Sequence, residues 1–424
     1  MTRNGAEDVA ASVVAYRVGK LIDGTGNAPL EDATLVIDGD RIVDVGRATD
    51  VVVPSHATVV DASRHTVIPG LIDVHVHVHS LGGAITNYGT AELRESQGAL
   101  TIRALTHVGR DLRMGFTTLR SLGSPNYVDV ALRDSINAGL VTGPRLMVAG
   151  QGLSVTGGHM DKPNWSSEVT VAGRTGVCDG PDECRRAARL QFKRGADLIK
   201  LNACSEAYYR LDPPWGQEMT LAEMSAICEV AHSLGRRVAA HTSGGPGITD
   251  AIRAGVNSLE HAHWLDDEQL DLMAESGTFY SPTLIVNSRS IEVGREAIGI
   301  SRAEWDWLLR VNEDKWETLR RAHERGVRIV SGSDAGFVVN HGESACELEE
   351  LVKGGLAPME ALVAATHTAA DCLGMANDIG TLERGKCADF VLLAADPLED
   401  IRVLQDESMI SKVVMNGQVA ATDG

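Results

Sequence analysis

Pro69-Gly-Leu-Ile-Asp-Val-His-Val-His77 is an apolar run that ends by setting His75 and His77 two residues apart. Side chains alternate between the two faces of an extended strand, so both imidazoles project to the same side. Two neutral ring nitrogens placed that way can share a metal. The pattern also suits a strand with two hydrogen-bonded core histidines, because H-x-H alone is a weak motif. The surrounding chain decides between the two.

From 64 to 376 short apolar runs alternate with stretches of 3.6-residue periodicity, the mark of repeated βα units on a parallel sheet. The expected strands are Leu71–His77, Phe116–Arg120, Leu146–Ala149, Leu198–Leu201, Arg237–His241, Ser258–His261, Thr278–Ser281 and Arg328–Ser331. Helices are expected between them, among others at Pro181–Arg194, Leu221–Leu234 and Trp305–Arg325. Such a series suits an α/β fold of the (β/α)8 TIM-barrel type, usually ~250 residues plus insertions.

The two ends read differently. Ala33–Ile37 and Arg41–Val45 flank Asp38-Gly39-Asp40, a β-hairpin signature. Ala388–Leu393 and Ser411–Met415 are also strand-like, and Asn416-Gly417 is a strong two-residue turn. A few strands need a second layer to bury their apolar face. Residues 1–63 and 377–424 are therefore expected to form one small β-sandwich domain, with the barrel of 64–376 inserted between its halves.

Composition narrows the function. A chain of 424 residues that is 43% hydrophobic and 23% charged can bury a sizeable core. Its formal charge of −19 opposes binding to nucleic acid or to an anionic membrane surface, which leaves a small-molecule partner. No apolar run approaches the ~20 residues of a membrane span, and the first residues lack the order of a signal peptide. The chain reads as cytoplasmic, with a processed secreted form as the alternative. The seven scattered cysteines never form C-x-x-C and read as reduced structural thiols.

Barrel chemistry gathers at the C-terminal ends of the strands. The polar groups at those ends are His75 and His77, Lys200, His241, His261 and, just past the eighth strand, Asp334. So many nitrogen and carboxylate ligands at one rim point to a metal site. Taken singly, Lys200 could be an exposed lysine and Asp334 a helix N-cap. His79 and His263 continue the alternation one rung further out and suit the rim. His56, His65, His107, His232, His323 and His367 have no such placement.

These pieces, with Asp197-Leu-Ile-Lys200, Glu260-His261, Ser331-Gly-Ser-Asp-Ala-Gly336 and Gly385-Lys-Cys-Ala-Asp389, resemble the metal-dependent amidohydrolase superfamily in order along nearly the whole chain. The pattern is most similar to the imidazolonepropionase-related branch that contains Xaa-Pro and Xaa-Arg dipeptidases and ochratoxin-hydrolysing enzymes. The resemblance implies two divalent metals, usually Zn2+. His75, His77 and Asp334 would hold one, His241 and His261 the other, and Lys200, carboxylated by CO2, would bridge both. It further implies a bridging hydroxide as nucleophile, with Asp334 shuttling its proton to the departing nitrogen.

Gly157-Gly158-His159 matches the family's Gly-Gly-His, which makes His159 a contact for the substrate's carbonyl or carboxylate. Arg120, Tyr208, Tyr209 and His263 are further candidates for substrate binding. Two departures stand out: Arg120-Ser121 replaces the common Arg-Asp, and Asn202-Ala-Cys-Ser-Glu-Ala-Tyr-Tyr209 replaces a loop of small residues. The expected reaction is hydrolysis of the amide in dipeptides, N-acyl amino acids or ochratoxin-A-like compounds, releasing a free amino acid. The alternative is a cyclic amidohydrolase, imidazolonepropionase- or hydantoinase-like. A homo-oligomer, up to an octamer, is implied by the resemblance alone.

Overall fold

The structure is a computed structural model that describes residues 13–82, 94–161, 166, 168–169, 171–206 and 216–422. Four strands open it: β1 (Val14–Leu21), β2 (Leu30–Asp38), β3 (Arg41–Arg47) and β4 (Thr58–Pro69). β5 (Leu71–Val76), β6 (Phe116–Ser121) and β7 (Arg145–Val148) follow. Next come β8 (Leu153–Ser154), β9 (Gly176–Val177), β10 (Ile199–Asn202), β11 (Val238–Thr242), β12 (Ser258–His261) and β13 (Phe279–Ser281). β14 (Phe390–Leu393), β15 (Ile410–Met415) and β16 (Gln418–Thr422) close the chain.

Both terminal hairpins form where the turn residues place them. Asp38 pairs with Arg41 around Gly39, whose φ is 59°. Asn416 and Gly417 have φ of 50° and 73°, the two positive values that a two-residue type I′ turn requires.

The terminal strands share one seven-stranded sheet, in the order β16-β15-β14-β4-β1-β2-β3. β4 joins the two ends of the chain, since it pairs parallel to β1 and antiparallel to β14. In place of the two layers of a sandwich there is thus a single sheet. It curls until Arg41 bridges Cys387, just before β14. Tyr16, Leu35, Ile37, Phe390 and Leu392 fill the curl, with the Tyr16 ring edge-on to Phe390 at 5.0 Å. Curling lets one sheet bury its own apolar face, which the sequence reading had assigned to a second layer.

The central strands form two sheets, β5-β6-β7 and β13-β12-β11-β10-β8-β9, and every pairing within them is parallel. Of the expected strands, β5, β6, β7, β10, β11, β12 and β13 lie within one residue of their limits. The eighth does not form a ladder. Ile329 makes a lone bridge to Tyr280, and Val74 N–H donates to Ser331 O at 3.0 Å. Beyond Gly332 the segment stays beside β5, with a second isolated bridge between Ala335 and Val76. Across the other seam, Asp197 N–H donates to Val148 O at 2.7 Å.

The helices Gly180–Lys193 and Leu221–Ser233 begin within one residue of the expected starts, and Arg302–Glu324 begins three residues before Trp305. Capping boxes from Thr220 to Glu223 and from Ser301 to Glu304 start the second and third. No described helix is long and apolar enough to cross a membrane. All seven cysteines are free thiols.

The helix Leu284–Val293 lacks a side-chain cap of its own. Glu347, fully buried, supplies one from a distant helix: its oxygens accept the N–H groups of Leu284 (3.0 Å) and Ile285 (2.8 Å). Glu347→Ala would strand two buried donors, at ~1–3 kcal/mol each. A loss of about 2–5 kcal/mol in urea unfolding is expected, and an unchanged midpoint would contradict this account of the cap.

Candidate metal centre

The register sets which side chains meet. Asn202 and Glu260 both pair with His241, and Lys200 pairs with Ala239, so Lys200, Asn202, His241 and Glu260 share one face of the sheet. His261 pairs with Thr242, and strict alternation would send it to the other face. Its left-handed backbone, φ 68°, breaks the alternation. The ring comes within 4.7 Å of His241 and 5.0 Å of His75, centroid to centroid.

Asp334 is also left-handed, φ 53°, a conformation that Asp tolerates better than most residues. It is held on both sides. Asp334 N–H donates to His75 O at 2.7 Å. Asp73 accepts from Ser333 N–H (3.1 Å), Ser333 Oγ (2.5 Å) and His75 N–H (2.9 Å). Burial pushes the Asp73 carboxyl up to about 6.

These restraints aim Asp334 Oδ1 at two imidazoles, 3.2 Å from His77 Nε2 and 3.5 Å from His75 Nε2. Both rings have committed their other nitrogen outward. His75 Nδ1 donates to Glu260 Oε2 at 2.9 Å and His77 Nδ1 to the Gly123 carbonyl at 3.2 Å. A carboxylate and a carbonyl can only accept, so each Nδ1 carries a proton and each ring turns its Nε2 inward.

Burial holds His75 down to about 4, with Lys200 adding to it, so the ring is neutral at pH 7. Burial first, and neighbouring imidazoles second, also keep His241 and His261 well below the usual range. His261 Nδ1 is engaged by Thr283 Oγ1 at 2.7 Å. His241 Nε2 is buried with no hydrogen bond among the described residues, and Glu206 Oε2 lies 3.4 Å from it.

A lone pair and a carboxylate oxygen 3.5 Å apart repel unless a cation lies between them. Ligand atoms of His75, His261 and Asp334 lie within 4.8 Å of one another, so this group could hold a metal ion. The donor set, neutral imidazoles with a carboxylate, suits a borderline dication such as Zn2+.

Lys200 lies beside them, 5% exposed. Burial pulls its amine down to about 8, against the raising effect of Glu260 and Asp334. Gly332 packs under His75: an added Cβ would stand 2.9 Å from the His75 Cβ and 2.4 Å from Ser281 Oγ. Gly332→Ala is expected to shift His75 and weaken metal retention about 10-fold in a chelator competition titration. Retention equal to the parent's would contradict that placement.

His75, His77, Lys200, His241, His261 and Asp334 line a cavity open to solvent, with Pro125, His159, Arg174, Asn287 and Phe337 in its walls. His159 and His263 both line it. Glu218 pins His159, accepting from its backbone N–H at 2.8 Å and its Nδ1 at 3.1 Å. The His159 ring stands 4.4 Å from that of His241.

Arg120 is not in the wall and cannot bind substrate there. It is 2% exposed, with its guanidinium engaged by Val74 O, Ser258 Oγ and Glu260. Tyr208 and Tyr209 lie outside the described residues.

The sequence reading gave no role to four residues that support the centre: Asp73, Glu218, Glu260 and His341. Glu260 could have been found, because it shares the inward face with His241. His341 sits where no strand pattern marks it. Its Nδ1 donates to Asp111 Oδ2 at 2.7 Å and its Nε2 to the His77 carbonyl at 3.3 Å. Burial opposes charge on that ring, and Asp111 outweighs it, raising the imidazole above its usual range.

Comparison with known proteins bears on this geometry. The profile of the Amidohydrolase family matches residues 66–420. An ochratoxinase from Aspergillus niger is 33% identical over 430 residues, covering 96% of this chain and 87% of its own. A crystal structure of an Xaa-Pro dipeptidase with methionine bound in the active site superposes with a TM-score of 0.88 at 32% identity, covering 96% of this chain and 99% of that one. A prolidase complexed with N-methylphosphonate-L-proline gives 0.86 at 29% identity, covering 97% and 100%.

Proposed function

The chain belongs to the amidohydrolase family, in the part of it that includes ochratoxin- and Xaa-Pro-cleaving enzymes, and from that premise we propose that it hydrolyses the amide joining an acyl group to an amino acid with a free carboxylate. Dipeptides, N-acyl amino acids and ochratoxin-A-like amides are the substrates this reading covers. The observation that carries it is the convergence of the His75 and His77 Nε2 atoms on the Asp334 carboxylate.

In this reading 64–376 is the catalytic domain, its two parallel sheets being arcs of one (β/α)8 barrel. Residues 1–63 and 377–424 form the β domain beside it, and the protein works as a homo-oligomer. His75, His77 and Asp334 hold one divalent metal, and His241 and His261 hold a second. Lys200 joins the two sites. An amine brought down to about 8 is partly unprotonated near neutral pH, which lets it take up CO2 and become an anionic carbamate. Two zinc ions held there would polarise the amide carbonyl and lower the pKa of water toward 7.

Asp334 accepts a proton from the attacking water at the carboxylate oxygen not turned to His75 and His77, and delivers it to the departing nitrogen, since an amine leaves poorly unless protonated. Glu218 fixes the His159 ring at the cavity wall, beside the space for the substrate's carbonyl or carboxylate. The walls exclude bulk water from the reacting amide. The bound methionine and L-proline derivative in the two relatives support an amino-acid moiety in the equivalent space.

The test is a panel of Xaa-Pro dipeptides, N-acyl amino acids, ochratoxin A and a hydantoin, assayed with zinc-loaded protein for released amino acid. Release from the open-chain amides is expected. Ring opening of the hydantoin alone would favour the cyclic amidohydrolase instead.

A further inference from the structure

One buried ion pair lies beneath the centre without facing the cavity. Glu260 is fully buried and Arg120 is 2% exposed. Their hydrogen bonding is closed. Glu260 Oε1 accepts from Arg120 Nη2 (2.7 Å) and from Ser258 Oγ (2.6 Å), and Oε2 accepts from His75 Nδ1 (2.9 Å). Arg120 also donates to the Val74 carbonyl, to Ser258 Oγ (3.0 Å) and to Cys372 Sγ (3.7 Å).

Taking both charges out of water costs several kcal/mol per ion, and a well-packed apolar pair would often serve stability as well or better. Stability is thus a weak reason for the pair. Its geometry supplies another. Arg120 keeps Glu260 in one orientation, with Oε2 turned to His75. That oxygen can only accept, so it fixes the His75 proton on Nδ1 and turns the Nε2 lone pair inward. The negative charge also makes that lone pair a stronger donor.

We propose that Arg120 and Glu260 are a positioning pair that sets the tautomer and orientation of His75 and so governs the affinity of one of the two metal positions. Neither residue touches substrate. The inference rests on the binuclear reading above and adds which buried residues tune which site: the pair acts on the position held by His75, His77 and Asp334, not on that held by His241 and His261. Glu260 adjoins His261 in the chain and His241 in the sheet, but its side-chain oxygens hydrogen-bond His75, Arg120 and Ser258 and neither of those rings.

The experiment counts zinc bound per chain over a series of free zinc concentrations set by a chelator buffer, for the parent, Glu260→Gln and the double variant Arg120→Met/Glu260→Gln. The double variant leaves no buried charge unpaired, so it reports on the metal even if the single one unfolds. Thermal melting of the metal-free proteins gives the structural effect separately. For either variant that folds, one zinc is expected to need about 10–100-fold more free metal than in the parent, with the second unchanged.

A double variant that melts cooperatively and binds both ions as tightly as the parent would overturn the inference alone and leave the pair structural. Equal weakening of both ions would also overturn it, because the effect would not be specific to His75. A parent that binds no metal would overturn the binuclear reading, and this inference with it.

Discussion

Asp334→Asn should lower kcat by about 10³-fold or more while leaving the protein folded. Asn tolerates the left-handed backbone found at Asp334 almost as well as Asp does, so the turn after Ser333 survives. The backbone N–H of residue 334 still reaches the His75 carbonyl. What is lost is the site that takes the proton from water and gives it to the leaving nitrogen, a function worth typically 10²–10⁴-fold. Loss of one anionic ligand adds to that. The check is steady-state hydrolysis of an N-acyl amino acid beside a thermal melt. A kcat within 10-fold of the parent's would remove Asp334 from the proposed chemistry.

Lys200→Ala should reduce kcat/KM by about 10²-fold or more and leave less than two zinc ions per chain. The side chain is buried and lines the same cavity as His75, His77, His241 and His261, and an alanine there would leave two dications without an anion between them. A small carboxylate can enter the space so vacated. Added acetate or propionate is therefore expected to restore part of the activity to Lys200→Ala and none to the parent. Without such rescue, and with zinc still at two per chain, the bridging role of Lys200 would be wrong.

Much of this arrangement was legible in the sequence because it rests on period-two alternation. Lys200, His241 and the His75–His77 pair could be placed from the strand pattern alone. Two of the proposed ligands reach the site for a reason the pattern does not encode: His261 and Asp334 depend on positive φ at non-glycine residues. Their inclusion came from strand ends and motif resemblance, not from face assignment.

Arg120 shows the opposite failure. At the end of an inward-facing strand it read as a substrate group, yet it lies too deep in the fold and is closed off by Glu260 and Ser258. Depth along a strand is harder to read than face. His341 and Glu218 come from segments without periodicity, and only tertiary packing brings them to His77 and His159. The terminal strands were found and their layering was not, since curling of one sheet and stacking of two give the same alternation.

The central claim is that side chains from separate strands hold a pair of cations joined by Lys200. Crystals of zinc-reconstituted protein, measured for anomalous scattering at the zinc edge, test it most directly. Two peaks about 3.5–4 Å apart are expected, one against His75, His77 and Asp334 and the other against His241 and His261, with planar density extending Lys200 Nζ between them. No peak, or a single peak beside an unmodified Lys200 amine, would contradict the account.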